Sequence, residues 1–528
     1  MSDQVSVTID GRSTRVDRRA MILSAARQLG IEIPMLCYMN DRKPNESCGV
    51  CMVEVAGREG LLPACATRVH DGMTVRTDTE AVRRSRRVAL ELLLSDHLGD
   101  CVAPCQLSCP AHIAIPRFIA HIRNSEYREA ITDIRESVAF PGVLGRICPK
   151  PCEAVCRRKD LDEAVAVCAL KRFAADQNGS HYVPTKKPTT GKKVAIVGAG
   201  IAGLTAAYYL LIEGHACAVF DAEAEPGGAL RLIPESRLPK NVLEAEIAVV
   251  TELGMDFHSG RTLGGNLNLD ELRKEFDAVL LATGLGIAES MTDAFDHALP
   301  DLETLRRLGV ETTERSVTID HHTFMTNVDG VFAAGRIAGG GRYAVHAAAS
   351  GRHAAEAVSC YLRGETGDKK RPVHVLMRHL SETDRVNIFR DVHKTPSVGA
   401  GSEDDAVAEA GRCLQCACAR QDDCLLQIYA MEYEANPHAF AGERPTFERE
   451  ATHEDVVYEP GKCIKCGRCI LIAEEFQEPL GLTHIGRGFR VRVGVPFGET
   501  LKAGLTKAAQ ACVAACPTGA LARRRKGR

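Results

Sequence analysis

Twenty-two cysteines, most of them gathered into tight groups, constrain this 528-residue sequence more than any other feature. The chain opens with a polar, strand-like segment after Met1, without the charged start and apolar run of a secretion signal. Thiols in the cytoplasm stay reduced, so grouped cysteines in such a chain indicate metal ligation rather than a disulfide framework. The sequence therefore predicts a cytoplasmic protein built around several metal centres.

Length and charge exclude several classes of protein. At roughly 150 residues per domain, the chain should hold about three or four domains. With 66 basic and 69 acidic residues the net charge is −3, which gives no strong field toward nucleic acid or anionic membranes. One uncharged stretch, residues 194–212, approaches the ~20 residues of a membrane helix, but three glycines with nucleotide-loop spacing interrupt it. We expect no nucleic-acid partner and no membrane span.

The first cysteine group lies in a small α+β unit of short strands around one helix. Its pattern is C-x10-C-x2-C-x13-C, formed by Cys37, Cys48, Cys51 and Cys65. Four thiolates on one loop-rich face suit a 2Fe-2S cluster, and Gly49 lets backbone amides turn toward the sulfides. A zinc site or four buried thiols is the alternative, although structural zinc usually shows two C-x2-C pairs. The segment resembles the 2Fe-2S domain of the large iron–sulfur subunit of respiratory complex I and of iron-only hydrogenases, which implies a β-grasp domain over residues 1–95.

Two copies of the pattern C-x3-C-x3-C follow in a stretch that reads as helical. They consist of Cys101, Cys105 and Cys109, and of Cys148, Cys152 and Cys156. A proline follows one cysteine of each run, as it follows ligand cysteines in bacterial ferredoxins. Two 4Fe-4S clusters would need eight ligands. Cys168 and His97 are the nearest candidates for the remaining two, because a ring nitrogen can replace a thiolate on iron.

The stretch of residues 101–176 resembles the helical 4Fe-4S domain of the glutamate synthase small subunit and its relatives, including dihydropyrimidine dehydrogenase. The resemblance implies a helical domain over residues 96–190 that holds two clusters. In that family the ligands of the two clusters interleave between the two cysteine runs, and one ligand can be a residue other than cysteine. Here Lys171 or Arg172 falls near the expected position of that ligand. The last ligand of each cluster therefore stays open.

Two further groups lie near the C-terminal end. They are Cys413, Cys416, Cys418 and Cys424, and then Cys463, Cys466 and Cys469 with the distant Cys516. The earlier of the two suits a 4Fe-4S cluster, although its spacing also suits zinc. The later one predicts a single 4Fe-4S cluster, because Ala473 stands where a two-cluster ferredoxin has another cysteine. This end resembles the ferredoxin-like segment of complex I and hydrogenase subunits, which implies a module over residues 411–528 after a linker over residues 364–410.

Together the groups imply one 2Fe-2S cluster and three to four 4Fe-4S clusters. Three cysteines remain outside the groups and are expected to be packed thiols: Cys217, Cys360 and Cys512.

A β-α-β pattern between the cysteine groups predicts a dinucleotide-binding domain. The motif G-x-G-x-x-G follows a strand and opens a helix, with its glycines at Gly198, Gly200 and Gly203. These glycines make the turn, admit the pyrophosphate and let the helix pack on the strand, while Asp221 ends the next strand where a carboxylate would accept the ribose hydroxyls. Further marks follow in order at Gly227, Gly228, Gly284 and Gly335. The whole series resembles the FAD domain of the glutamate synthase small subunit family, which implies a single Rossmann-like FAD domain over residues 191–363.

Two departures from that family affect its dinucleotide sites: one concerns the nicotinamide site and the other the flavin site. The family carries a second, NADPH-binding domain after the strand that ends at Gly284, but here about fifteen residues separate Gly284 from Pro300, whereas a βαβ unit needs ~30. We therefore expect no nicotinamide site in this chain. Arg336 replaces an aspartate that holds the flavin ribityl chain. Arginine cannot accept those hydrogen bonds, although it can pair with a phosphate or reach a partner.

These features predict a multidomain α/β and α+β protein that relays electrons, and no classical nucleophile or acid–base motif accompanies them. The leading hypothesis is a flavo-iron–sulfur subunit of a larger oxidoreductase. Its expected partners are complex I-like NADH-oxidising subunits or another catalytic subunit that oxidises NAD(P)H, formate, hydrogen or an aldehyde, with electron bifurcation left open. One alternative is a self-sufficient NAD(P)H:acceptor oxidoreductase or glutamate synthase small subunit. Another is an iron–sulfur scaffold with a degenerate flavin domain.

Overall fold

The structure is a computed structural model that forms two compact units. It describes residues 4–40, 42, 44–178, 182–284, 302–365, 373–377, 379–390, 392–421, 423–440, 442 and 444–524. Unit 1 consists of Met1–Val102, Lys370–His393 and Ala417–Arg528, and unit 2 consists of Ala103–Lys369 and Lys394–Cys416. The mixture of helical, parallel-sheet and mixed-sheet parts confirms the predicted multidomain α/β and α+β class.

The first segment of unit 1 forms a five-stranded sheet with one helix against it. Alternate residues Val5, Val7 and Ile9 are buried, as expected for a strand with one face on the core. The strand order is β2-β1-β5-β3-β4, with β1 and β5 parallel and the other neighbours antiparallel. The elements are β1 (Gln4–Ile9), β2 (Arg12–Asp17), α1 (Ile22–Gln28), β3 (Met52–Val55), β4 (Leu61–Pro63), β5 (Met73–Arg76) and α2 (Glu80–Ser95).

Unit 2 begins with six helices packed around one apolar core. Phe118, Ile122, Ile134 and Leu170 are fully buried in that core, and two of the cysteines lie in it as well. Several of these helices begin at a proline, which suits the first turn because its missing N–H has no partner there. The helices are α3 (Pro104–Ser108), α4 (Ile115–Arg123), α5 (Tyr127–Arg135), α6 (Pro141–Ile147), α7 (Pro151–Ala154) and α8 (Val167–Asn178).

The second part of unit 2 is a parallel five-stranded sheet with the order β10-β9-β6-β7-β8. The uncharged stretch 194–212 is strand β6, a glycine loop and helix α9, as predicted. The short segment after Gly284 was the reason to expect no second dinucleotide domain. It lies mostly outside the described residues. The elements are β6 (Lys193–Val197), α9 (Ile201–Ile212), β7 (Ala216–Phe220), α10 (Lys240–Glu252), β8 (Asp256–His258), α11 (Leu269–Glu275), β9 (Ala278–Leu281), α12 (Leu302–Arg307), β10 (Val331–Ala333) and α13 (Ala344–Leu362).

After this sheet the chain contributes helix α14 (Glu382–Phe389) to unit 1 and helix α15 (Glu403–Gly411) to unit 2. A buried ionic network fixes α15 within unit 2. Arg412 donates to Glu409 at 2.7 Å and to Asp162 at 3.0 Å, and Arg158 donates to both oxygens of Asp162. The polar stretch predicted as a linker thus contains two helices, and one of them is tied to the helical part of unit 2.

The last segment of unit 1 combines short helices with two antiparallel strand pairs. Strand β11 pairs with β14, and β12 pairs with β13. Their common core contains Val493, Leu505 and two cysteines. The elements are α16 (Leu425–Glu432), β11 (Val456–Tyr458), α17 (Arg468–Glu475), β12 (Thr483–Ile485), β13 (Arg492–Gly494), α18 (Leu501–Gly504), α19 (Ala509–Ala515) and β14 (Leu521–Arg523). Across the described part of the chain, no helix is both long and apolar enough to cross a membrane.

Candidate functional site

The cysteines gather into five sets, which we number 1 to 5. Set 1 lies in the first segment of unit 1 and consists of Cys37, Cys48, Cys51 and Cys65, all of them buried. The Sγ atoms of Cys51 and Cys65 are 3.4 Å apart. The interaction with Cys48 lowers the pKa of Cys37 to about 5, and that with Cys65 lowers the pKa of Cys51 to about 7. The structure thus brings together the four residues of the first predicted group, with thiolate character favoured on two of them.

Set 2 lies in the helical part of unit 2 and consists of Cys109, Cys148, Cys152 and Cys168. Cys168 is the second residue of α8 and is buried, and the other three lie at the ends of α3, α6 and α7. The pKa of Cys148 is raised, first by its interaction with the Cys168 thiol and then by burial. The four thiols also share one charged neighbour, the ammonium of Lys171. Cys168, a candidate ligand from the sequence, therefore completes a set of four.

Set 3 also lies in unit 2 and consists of Cys105, Cys156, Cys413 and Cys416. Burial raises the pKa of the Cys105 thiol, and its next strongest influences are the other three cysteines. The four line one pocket together with apolar side chains such as Ile119. Four cysteines thus share the wall of a largely apolar pocket, as the ligands of a cluster would.

Set 4 lies in unit 1 and consists of Cys101, Cys418 and Cys424. Burial raises the pKa of Cys101 to about 11 and that of Cys424 to about 12, and Cys418 adds to both shifts. The backbone ties these positions together, since the Cys418 N–H donates to the Asp100 carbonyl at 2.9 Å. Set 4 has three cysteines, one fewer than each of the other sets.

His97 is connected to set 4 through a shared neighbour, Lys462. The His97 side chain is buried, with 6% of its surface exposed, and its Nδ1 atom has no hydrogen-bond partner. The neighbouring Leu98 N–H donates to the Gly461 carbonyl at 2.7 Å, and Lys462 is a charged neighbour both of His97 and of Cys101 and Cys418. A buried imidazole with a free ring nitrogen is chemically suited to ligate a metal.

Set 5 consists of Cys463, Cys466, Cys469 and Cys516 in the last segment of unit 1. The pKa of Cys469 is raised by burial and then by the other cysteines of the set and Cys512. The four cysteines of the last predicted group therefore lie close together. Of the three cysteines left over in the sequence, Cys217 is buried in β7 and Cys360 is half-buried in α13. Cys512 is buried in α19 next to set 5, where its Sγ donates to the Cys469 carbonyl.

The structure divides two of the sequence groups between the units. Cys101 belongs to unit 1, whereas Cys105 and Cys109 belong to different sets of unit 2. Likewise, Cys413 and Cys416 join set 3, whereas Cys418 and Cys424 join set 4. The spacing of the third group suggested one shared site, but its four cysteines lie in two different sets. The physical reason is that the chain passes from one unit to the other between Cys416 and Ala417, so adjacent residues enter different cores.

The sequence also left zinc as an alternative for the first and third groups. A zinc ion needs its ligands converged tetrahedrally about one point. Among the residues that the structure describes, no three His, Cys, Asp or Glu side chains converge in this way.

The glycine loop of unit 2 connects β6 with α9, and only glycine fits at two of its positions. Gly198 has φ +110°, and a Cβ there would lie 2.5 Å from the Ala282 carbonyl oxygen. A Cβ at Gly203 would lie 1.9 Å from the Gly198 carbonyl oxygen, so α9 can approach the strand only with glycine at this position. A Cβ at Gly200 would meet nothing within 4 Å, which leaves the loop accessible to a ligand. The amino end of α9, whose N-cap is Gly200, has no side-chain cap and offers its N–H groups to an anion.

The other predicted dinucleotide residues surround this loop. The Gly227 N–H donates to the Ala199 carbonyl at 2.9 Å, and a Cβ at Gly228 would lie 3.0 Å from the Cα of Gly200. Gly335 lies against Ala202 in the first turn of α9, and Gly284 follows β9 beside the loop strand. Glycine segments that are distant in sequence therefore line one cleft at the start of α9.

Asp221 and Arg336 have different surroundings in this cleft. Asp221 accepts hydrogen bonds from the N–H groups of Ala199 at 2.5 Å and Glu223 at 2.9 Å, one on each carboxylate oxygen. Each oxygen keeps acceptor capacity for a ribose hydroxyl. Arg336 is half-buried in the turn after β10 and has no carboxylate at ion-pair distance within the described ranges. Its charge is therefore available to an anionic ligand.

Three protein-family models match separate parts of the chain. Residues 2–80 match a 2Fe-2S iron–sulfur cluster binding domain, and residues 95–182 match the 4Fe-4S domain II of dihydropyrimidine dehydrogenase. Residues 196–256 match an NAD(P)-binding Rossmann-like domain. These matches support the predicted 2Fe-2S and 4Fe-4S domains and a Rossmann-like dinucleotide domain.

Curated relatives are subunits of oxidoreductases. The chain is 43% identical over 188 residues to the NADPH-Fe(3+) oxidoreductase subunit beta of Geobacter sulfurreducens, which covers 34% of this chain and 28% of the relative. It is 36% identical over 239 residues to the NADP(+)-dependent formate dehydrogenase subunit beta of Moorella thermoacetica, covering 40% and 34%. It is 36% identical over 199 residues to the glutamate synthase [NADPH] small chain of Bacillus subtilis, covering 35% and 40%. The chain thus spans between about a quarter and a half of the relatives' lengths.

The resemblance predicted from the cysteine runs and the glycine motif is therefore confirmed. The relatives include the glutamate synthase small chain and the subunits of other oxidoreductases, and the matched domains are of the iron–sulfur and Rossmann types.

Proposed function

We propose that this chain is an electron-transfer subunit of a multisubunit oxidoreductase that works in the cytoplasm. The observation that carries the proposal is the arrangement of the cysteines: twenty positions predicted from sequence fall into five local sets when His97 is counted with set 4. Each set offers four ligands, the number that an iron–sulfur cluster requires. None of the twenty-two cysteines forms a disulfide, in keeping with a reducing compartment.

We assign a 2Fe-2S cluster to set 1 and a 4Fe-4S cluster to each of the other four sets. In set 4 we assign the fourth ligand to His97, whose Nδ1 has no hydrogen-bond partner and which shares the charged neighbour Lys462 with Cys101 and Cys418. Burial of the thiols in apolar cores keeps water from the clusters. Burial also disfavours a free thiolate, so the thiols would lose their protons as the metal binds. The four-sulfur pocket of set 3 has the same character.

We assign FAD to the cleft at the start of α9. The glycine loop and the amino end of α9 would receive the pyrophosphate, and Asp221 would accept the ribose hydroxyls. Arg336 would meet a phosphate rather than the ribityl hydroxyls. Bound flavin exchanges electrons singly or in pairs and iron–sulfur clusters exchange them one at a time, so a chain that holds both can join two-electron and one-electron partners.

The electron donor is expected on another subunit. In the described part of unit 2 there is one parallel five-stranded sheet, and the sequence has a single G-x-G-x-x-G. Two of the relatives named above are beta subunits, which are parts of larger enzymes by name. We therefore propose that a partner oxidises NAD(P)H, formate or a similar donor.

A second candidate function follows from the match of residues 196–256 to an NAD(P)-binding domain. If the chain binds NAD(P)H as well as FAD, it would be a self-sufficient NAD(P)H:acceptor oxidoreductase, with the flavin accepting the hydride and the clusters then taking single electrons. The two candidates therefore differ in whether NADPH or NADH alone reduces the flavin.

The test is cofactor analysis of the full chain purified anaerobically. We expect about 18 irons per chain, matching acid-labile sulfide and one FAD released by denaturation. We also expect NADPH or NADH alone to leave the flavin absorbance unchanged, whereas dithionite bleaches it. Bleaching of the flavin by NADPH or NADH alone would favour the second candidate. Fewer than about ten irons, with the thiols intact, would reject the relay.

A further inference from the structure

Lys171 occupies an unusual position for a lysine. It lies on α8 one turn after Cys168, so both side chains lie on the same helix face. Only 3% of its surface is exposed. Its electrostatic neighbours are the four thiols of set 2, in the order Cys168, Cys148, Cys109 and Cys152. Lys171 is therefore a buried cation whose electrostatic neighbours are four thiols.

No carboxylate lies at ion-pair distance from Lys171 in the ranges that the structure describes. The carboxylate of Glu153 is near set 2, but it accepts the Cys168 N–H at 2.9 Å and pairs with Lys150 at 3.9 Å. The other buried lysine beside a cysteine set, Lys462, forms an ion pair with Glu459. The titratable neighbours of the Lys171 ammonium are thus thiols, whereas those of the Lys462 ammonium are thiols and a carboxylate.

A buried ammonium without a counter-charge is strongly unfavourable, because the low-dielectric interior replaces none of its hydration. Four thiolates around an iron–sulfur cluster supply the missing negative charge. The interaction works in both directions: the ammonium favours whichever state of the cluster carries more negative charge, which is the reduced one. The effect is larger at Lys171 than at Lys462, where Glu459 offsets the positive charge.

We propose that Lys171 is the counter-cation of a 4Fe-4S cluster bound by set 2, and that its charge makes this cluster easier to reduce. The proposal rests on the proposed function, since it requires a cluster in set 2. Lys171 acts here through its charge and not as a ligand, because Cys168 already supplies the fourth sulfur atom.

The experiment is an EPR-monitored redox titration of the anaerobically purified full chain. The signal of set 2 is identified as the one that Cys152→Ser removes. Lys171→Met replaces the ammonium with an apolar side chain of similar length, and Lys171→Arg keeps the charge. Lys187→Met is the matched control, because Lys187 lies on the surface of the same unit in an exposed pair with Glu213.

We expect Lys171→Met to lower the ratio of reduced to oxidised set 2 cluster at least tenfold at a fixed potential, which for a one-electron couple is a shift of 59 mV to lower potential. Lys171→Arg and Lys187→Met should leave that ratio within about threefold of the wild type. Lys171→Gln replaces Lys171→Met if the latter lowers the iron content. An unchanged ratio in the uncharged variant at full iron content would overturn the proposal, as would loss of four irons in Lys171→Arg, which would make Lys171 a ligand.

Failure of the proposed function has a different signature. If set 2 holds no cluster, Cys152→Ser leaves the iron content and all EPR signals of the wild-type chain unchanged. If set 2 holds a cluster whose potential does not depend on Lys171, the wild-type iron content is full and Cys152→Ser removes one EPR signal. In that case the Lys171 variants leave the ratio of reduced to oxidised cluster unchanged.

Discussion

Replacement of Arg412 by methionine tests whether the buried ionic network keeps α15, and with it two ligands of set 3, within unit 2. The Arg412 side chain is 3% exposed and that of Glu409 is fully buried. Arg412 donates to Glu409, to Asp162 and to the carbonyl oxygens of neighbouring residues. Removing one partner of a buried pair typically costs about 3–5 kcal/mol, because the other charge is left uncompensated.

The expected value lies at the lower end of that range. After the change Asp162 keeps both hydrogen bonds from Arg158, and Glu409 keeps those from the Ala166 N–H and the Ser397 hydroxyl. A cost of about 3 kcal/mol corresponds to a more than hundredfold increase in the population of locally opened α15. We therefore expect backbone amides of α15 to exchange with deuterium about a hundredfold faster.

The measurement is hydrogen–deuterium exchange by mass spectrometry on peptides that cover α15. Arg307→Met is the matched control, because Arg307 forms an exposed i,i+4 pair with Glu303, and such pairs contribute about 0.5 kcal/mol or less. Since Cys413 and Cys416 follow α15 directly, Arg412→Met should also lower the iron content by up to one 4Fe-4S cluster. Equal exchange of α15 in the Arg412 and Arg307 variants would refute the role of the network.

Two further outcomes follow from the site geometry. Gly203→Ala should abolish dinucleotide binding and lower the melting temperature, because its Cβ would overlap the Gly198 carbonyl oxygen; full cofactor content by absorbance after purification would contradict this. The second concerns pH: Arg158 and backbone N–H groups hold the pKa of Asp162 well below its usual range. A carboxyl with a depressed folded pKa stabilises the fold above its unfolded pKa, so the thermal stability advantage of wild type over Asp162→Asn should shrink as pH falls below about 4. A difference in melting temperature that stays constant from pH 6 to about pH 3 would exclude this linkage.

Much of the architecture follows from local sequence. Alternation of apolar residues predicts the strand that begins near Val5, and the glycine motif after 194–197 predicts a strand, a loop and a helix, all of which the structure contains. These predictions succeed because each depends on neighbours a few residues apart: side-chain alternation, helical periodicity and the absence of a Cβ in a loop. The cysteine groups predicted iron–sulfur domains and the glycine motif predicted a Rossmann-type domain, and the family comparisons confirm both.

Tertiary structure alone decides which cysteines meet. Spacing suggested that Cys413 and Cys424 share one site, yet they lie in different units, and Cys101 is a neighbour of Cys418 more than three hundred positions later. Spacing reports only how closely ligands follow one another along the chain. A cluster instead needs sulfur atoms that are close in space, and that is fixed by which core buries each loop. The same holds for Lys171, whose type and position are plain in the sequence. Its burial with four thiols as electrostatic neighbours, and with no carboxylate partner among the described residues, is a property of the packed helices.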